Sequence, residues 1–312
     1  VFYNSYLPEI AYPEQQDKIS AKGYAMGYFG SVILLLVNLI MINFPDLFGI
    51  TDSNGVVAEI MAMKISFVMV GFWWFLFSQY TFYYLPGKEY YKQIKPQSRS
   101  EIKSRNIIFS GFIELKSVWD ELKNNYILKV FLLSFFIYSI ALQTVILVAT
   151  YFGEAEIQWG EGEKTFGLIL SILLIQLVAM AGALISARIS DKLGNFKTLI
   201  GLNFIWALIC LFGYYVETSL EFYFAAGLVG LVMGGIQALS RSTFSKLIPK
   251  TNNNTSYFSF YDVSQKLSIV IGMTLFATID QITGSMRNSI LLFVIFFIIG
   301  AVILIKLDKK TV

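Results

Sequence analysis

Uncharged polar side chains interrupt stretches that are otherwise apolar: Asn38, Gln143, Thr144, Gln176 and Gln237. An amide or hydroxyl surrounded by hydrocarbon must find a partner, since leaving it bare costs about 2–7 kcal/mol. Two chemistries meet that need. The groups can bond across neighbouring helices, at about 0.6 kcal/mol each, or they can line a wet cavity and bond a solute. Gln143, Thr144 and Gln176 fall nearest the middle of their stretches and suit the second use, whereas Gln237 lies closer to a stretch end.

Charged residues gather where these stretches end. The segment GALISARISDKLGNFKTL, Gly182 to Leu199, is a short charged link punctuated by glycine. So brief a link forces its flanking helices antiparallel. Asp191 within it is placed to meet the exposed N–H groups of another helix start, a gain of about 0.3–2 kcal/mol. Lys22 and Gly23, at the head of the first apolar stretch, are its expected partners. Arg241 closes a later stretch, where a cation either gains from the helix C-terminus or pairs with Asp191 or Asp262.

Conventional catalysis lacks its parts. The chain has no histidine, which removes the commonest general base and the side chain that titrates near neutrality. Cys210 is its one cysteine and lies in an apolar run, so neither a disulfide nor a thiolate metal site forms within one chain. Paired carboxylates are absent from the apolar stretches, and no Gly-Lys-Ser/Thr run follows the glycines, so the parts of an acid–base pair or a phosphate cradle are missing. No catalytic residue, no metal and no cofactor is expected. The cations lie in links beside apolar stretches instead of on one basic face, which argues against nucleic acid.

The elements that must position these side chains follow from hydropathy. The chain is 56% hydrophobic and only 14% charged, well below the quarter or so usual in soluble domains. Windows of about 20 residues place spans near Gly23 to Ile42, Met61 to Tyr84, Tyr126 to Tyr151, Thr165 to Ala187, Thr198 to Val216, Phe222 to Ser240, Tyr261 to Ile279 and Asn288 to Ile305. The expected fold is an all-α polytopic transmembrane bundle with about eight visible spans in a lipid bilayer. Gly23, Gly27 and Gly30, and likewise Gly227, Gly230 and Gly234, line one side of their helices and allow close backbone approach.

Cations fill alternate links, from Lys88 to Lys129, from Arg188 to Lys197, from Arg241 to Lys266 and after Lys306, while the intervening links carry Asp46, Glu59, Glu154, Glu156, Glu217 and Glu221. The positive-inside rule makes the basic links cytoplasmic and turns both termini to that side. Lys64, Lys164 and Arg287 break the pattern. Tyr80, Tyr83 and Tyr84 gather where amphipathic rings favour the headgroup level. In the long link, Ile108, Phe112, Leu115, Trp119 and Leu122 recur at helical spacing opposite Glu114, Lys116, Asp120, Glu121 and Lys123, which predicts an amphipathic helix on the inner leaflet or across the cytoplasmic bundle ends.

Asp191, Lys192 and Gly194 match positions of a cytoplasmic loop motif of the major facilitator superfamily, although Asn195 and Phe196 replace its usual basic pair. Together with VFYNSYLPEIA and ISAKGYAMGYFG at the start, LLIQLVAMAGALI in the middle, and GGIQALSRSTFSKLIP over Gly234 to Pro249, the chain resembles the vacuole-effluxer-like permeases of that superfamily. These include fungal vacuolar amino-acid exporters. The resemblance implies twelve spans in two halves, with this chain beginning at the end of the fourth. On that scheme 1–84 is the remainder of the first half, 85–125 a cytoplasmic connector, and 126–312 the six-helix second half.

The implied function is secondary active transport of a small organic solute, with amino acids as candidates, by alternating access at a central site. Gln143, Thr144, Gln176, Asn38 and Gln237 are the candidate solute-binding residues, and Asp191, Lys192, Gly194, Arg241 and Lys22 the candidate inner gate. The expected partners are a solute, lipid and a coupling ion. A permease for sugars or cell-wall fragments is the alternative, and a membrane-embedded enzyme or a receptor stands further off. A bacterial cytoplasmic membrane is the expected location.

Overall fold

The computed structural model describes residues 2–50, 55–85, 107–249 and 254–311. Two short helices, α1 (Phe2–Ser5) and α2 (Leu7–Ile10), precede α3 (Gln16–Asn43) and α4 (Gly55–Tyr84). Then follow α5 (Ile107–Leu122), α6 (Tyr126–Glu156), α7 (Lys164–Leu193), α8 (Asn195–Tyr215), α9 (Ser219–Leu247), α10 (Asn254–Thr283) and α11 (Met286–Thr311). Among the described residues, 8 helices are long and apolar enough to cross a membrane, and the only β feature is an isolated bridge between Gln158 and Thr218. The fold is therefore all-α and polytopic.

The helices outrun the apolar windows read from the sequence. α3 starts at Gln16 instead of Gly23, α7 continues to Leu193 and α9 to Leu247. A hydropathy window marks only the part of a helix that matches hydrocarbon, whereas backbone bonding continues into the polar ends. Local signals set the boundaries. Asn125 caps α6 by accepting from Leu128 N at 3.1 Å, and Thr218 caps α9 in a reciprocal box with Glu221, which satisfies otherwise orphaned N–H groups. Between α7 and α8, Gly194 holds φ 86° and ψ 158°, a conformation open almost only to glycine, so two long helices reverse through a single residue.

The chain divides into two units, one of residues 1–29 and 111–312 and the other of residues 30–110. In the larger unit α7 packs along α9, α8 along α11, and α6 touches α9, α10 and α11. The α7–α9 pair depends on missing side chains. A Cβ at Gly182 would collide with the carbonyl of Leu231, one at Gly234 with that of Ala179, and one at Gly235 with the Ser186 hydroxyl. Of the glycines expected to mediate close approach, Gly230 and Gly234 do so against α7, whereas Gly27 and Gly227 face open space. Aromatic rings fill the α6–α9–α10 seam, with Phe135 stacked on Tyr261 at 4.1 Å and Tyr261 on Phe244 at 4.8 Å. Between α8 and α11, Trp206 stacks on Phe297 at 5.4 Å.

Helix α5 buries Val118 and Leu122 while Trp119 stays half exposed and approaches Phe260 of α10 at 6.0 Å. The buried stripe is thus centred on Val118, which the sequence reading passed over. Ile108 and Phe112 lie outside the described side chains, as does the whole of 86–106. Glu114 and Glu121 accept from Ser256 and Tyr257 at the start of α10. On the exposed face Lys123 donates to Asp120 at 2.6 Å, and that bond holds the Asp120 carboxyl below its ordinary range.

In the smaller unit the end of α3 leads through a 3-10 turn at Pro45–Phe48 to α4. Met41, Ala58 and Ala62 are buried, and Trp73 faces Gly30. Tyr80, Tyr83 and Tyr84 are exposed at the end of α4, with Tyr80 and Tyr84 in ring contact at 4.5 Å.

Candidate functional site

A buried polar cluster of the larger unit lies at the end where α7 and α9 finish and α3 and α8 begin. Asp17, in the first turn of α3, is buried and receives three bonds. Lys246 Nζ of α9 reaches its Oδ2 at 2.6 Å, Asn195 Nδ2 of α8 reaches its Oδ1 at 2.8 Å, and Ser190 Oγ of α7 lies 3.3 Å from Oδ2. Asn195 ties the set together, since its amide also donates to Thr243 Oγ1 at 2.9 Å and its carbonyl accepts from Lys246 at 3.0 Å. A buried carboxylate is tolerable only with this degree of pairing. The Gly194 reversal makes the arrangement possible by bringing Ser190 and Asn195 to one point.

One turn further along α3, Ser20 donates to the carbonyl of Ala238 at 2.7 Å and accepts from Arg241 Nε at 3.0 Å. Arg241 also donates to the Ser20 carbonyl at 2.9 Å and to Asn4 Oδ1 at 3.0 Å, and its guanidinium lies over Tyr24 at 4.5 Å and Tyr3 at 5.8 Å. Ala21, Ala183, Ala187 and Ala238 form a small buried apolar patch beside these bonds. Deeper still, Tyr28 donates to Gln237 Oε1 at 2.6 Å.

The structure therefore gathers only some of the gate candidates. Arg241 belongs to the cluster, bound to Ser20 and Asn4, and no acid lies within ion-pair distance of it among the described residues. Asp191, Lys192, Gly194 and Lys22 are exposed. The carboxylate that enters the α7–α8 reversal comes from Asp17, and Asn195, whose departure from the motif is visible in the sequence, provides the hinge of the network. Asp17, Ser20, Ser190, Thr243 and Lys246 were not singled out by sequence reading. The only local signal was a polar first turn ahead of an apolar helix.

The solute-binding candidates separate as well. Gln143 and Gln176 are half-buried and have no protein partner among the described residues. Thr144 is fully buried, donates to the Ile140 carbonyl at 2.7 Å and packs against Gly272, so its hydroxyl serves its own helix. Gln237 is taken by Tyr28. Asn38 belongs to the smaller unit, and its Oδ1 is buried without a partner.

At the opposite end of the larger unit, Arg287 of α11 pairs with Glu156 at 2.8 Å and donates to the carbonyls of Tyr214 and Glu156. Lys164 pairs with Glu154 at 3.3 Å. Two of the cations that break the charge alternation are thus neutralised by acids of the same end. Between these ends an apolar pocket lies among α6, α7, α8, α9 and α11, lined by residues including Val148, Phe152, Cys210 and Phe222.

Comparison with known proteins agrees with this architecture. The chain is 29% identical to an uncharacterized MFS-type transporter of Bacillus subtilis, YxiO, over 312 residues, which is all of this chain and 68% of that relative. It is 25% identical to autophagy-related protein 22 of Kluyveromyces lactis and 23% identical to that of Saccharomyces cerevisiae, with 94% of this chain covered in each case. The matches span 58% and 57% of the two fungal proteins. The family profile described as vacuole effluxer Atg22 like matches residues 1–311. This integral membrane chain, with its helices and its Asp17 cluster inside the matched span, belongs to the vacuole effluxer Atg22-like family.

Proposed function

We propose that the chain is the larger part of a secondary transporter that moves a small organic solute by alternating access, with amino acids as the first class to try. The observation that carries this reading is the buried Asp17–Asn195–Lys246 joint. It fastens the start of α3 to the ends of α7 and α9 through one ion pair and a few hydrogen bonds, with little apolar surface beside them. A joint of that kind is specific yet few in parts, which suits a contact that must break and re-form. On the scheme of twelve spans it joins the two halves at the cytoplasmic end. Lys22, Asp191, Lys192 and Gly194 then border the joint, and Arg241 completes it. Gln143 and Gln176, with amides unclaimed by protein, are the residues to face the solute, and a gradient of solute or of a coupling ion drives the cycle.

The full-length protein, purified and reconstituted in proteoliposomes, tests this. Flux of labelled amino acids above that of empty vesicles is expected. Gln143→Leu and Gln176→Leu should each lower it about tenfold, the scale for losing a bond to a charged or strongly polar group, with normal protein yield. Flux of sugars in place of amino acids would shift the reading to the alternative substrate class. Absence of flux for both classes ends the transporter reading, and wild-type flux in both variants returns the glutamines to packing.

A further inference from the structure

We infer that Arg241 is the anchor for an anionic group of the solute, a carboxylate or phosphate oxyanion, at the Asp17 end of the larger unit. This rests on the transporter reading above and specifies the chemistry of what is carried. The two cations of α9 at this end are treated differently. Lys246 is given a carboxylate at 2.6 Å, whereas Arg241, only 6% exposed, is given a hydroxyl, a backbone carbonyl and a neutral amide. Neutral acceptors satisfy N–H groups without bringing a carboxylate into contact with the cation, and a buried cation is stabilised by a directly bonded anion. A guanidinium also carries five N–H donors. Its bonds to Ser20 and Asn4 use one each on Nε, Nη1 and Nη2, so one N–H on each terminal nitrogen is left over. Two such donors match the spacing of two oxygens of one oxyanion.

The surroundings fix the plane of the guanidinium and keep a side chain off its Nη2 edge. Tyr24 and Tyr3 carry the cation on their rings at 4.5 and 5.8 Å. The glycine at position 23 keeps that edge clear, since a Cβ there would stand 3.1 Å from Nη2 and 3.2 Å from the Tyr3 hydroxyl. Every acceptor that now occupies Arg241 comes from Asn4 or Ser20, on the segment fastened by Asp17. Release of that segment frees the three occupied N–H groups as well, so an open Asp17 end offers an anion five donors where the closed joint leaves two. The anion is taken when the Asp17 end opens and given up when it closes.

The test is anion binding by the purified full-length protein in detergent, followed by thermal shift and by calorimetry, with glycine, acetate and inorganic phosphate as probes and their carboxylate-free counterparts glycinamide and acetamide as controls. Binding of at least one anion and of neither amide is expected, and the better of carboxylate and phosphate identifies the source. Arg241→Met should weaken that binding about tenfold or more and Arg241→Lys less, in keeping with charge-assisted bonds. Asn4→Ala removes a competing acceptor without touching the cation, and should tighten anion binding severalfold in a protein that folds normally. Equal binding of amides, or no gain in Asn4→Ala, overturns the assignment. Flux and binding separate the two proposals. Anion binding without flux of any solute leaves the anchor standing and removes the transporter. Flux of a neutral solute that is unchanged in Arg241→Met removes the anchor alone.

Discussion

Asp17→Ala is expected to lower the stability of the purified protein by about 2–3 kcal/mol, and Asp17→Ala with Lys246→Met by much less. Stranding one partner of a buried ion pair usually costs about 3–5 kcal/mol. Here the stranded ammonium keeps 25% of its side chain in contact with solvent, and water offsets part of the cost. The Asp17 side chain, by contrast, is 3% exposed and holds Asn195 and Ser190 as well. Removing both charges, with an apolar side chain of similar length in place of the lysine, strands neither charge and leaves Asn195 its existing bond to Thr243. The pair of variants separates the worth of the ion pair from the cost of a lone charge. Melting temperature measures the first quantity. Hydrogen exchange over residues 16–29 measures the second effect, release of the start of α3. If the double variant is as unstable as the single one, the joint is not an ion-pair contact in energetic terms.

Gly234→Leu is expected to abolish accumulation of monodisperse protein. The added side chain has no rotamer that avoids the Ala179 carbonyl and Ala183 nitrogen, because both are backbone atoms of α7. Over-packing that side chains can absorb costs about 1–3 kcal/mol. Here the helices themselves must separate, and the loss extends to the contacts at Gly182, Gly230 and Gly235. In a bilayer, where lipid tails are as apolar as leucine, such close packing is a main source of helix association. Gly227→Ala supplies the control, because its Cβ meets nothing within 4 Å and alanine favours the helix. Size-exclusion profiles of the two variants should differ plainly. A well-folded Gly234→Leu protein would show that α7 and α9 are held by other contacts.

What could be read along the chain was whatever depends on neighbours in sequence. The spans from Tyr126 onward were legible because each is one predominantly apolar run that must form its own backbone bonds. The reversal at Gly194 was legible because two such runs stand one charged link apart. The amphipathic α5 was also visible, although its buried stripe passes through Val118 and leaves Trp119 half exposed. The choice between those faces is made by α10, which no helical periodicity describes.

The buried Asp17 cluster depends on neighbours in space. Asp17 meets Asn195 across 178 positions and Lys246 across 229, and hydropathy assigns it only to a polar lead-in before Gly23. Asp191 and Asp17 are alike in residue type and both stand at helix ends. Only packing buries one among three donors and exposes the other. Thr144 and Gln143 are adjacent in one helix, yet the 100° or so between successive residues turns the hydroxyl against Gly272 and leaves the amide half-buried without a protein partner. Sequence thus determined that this chain spans a membrane and where its helices run, because desolvation of the backbone acts locally. Tertiary structure decided which polar groups are spent on holding helices together and which have no protein partner among the described residues, because a hydrogen bond is settled by the single partner within about 3 Å.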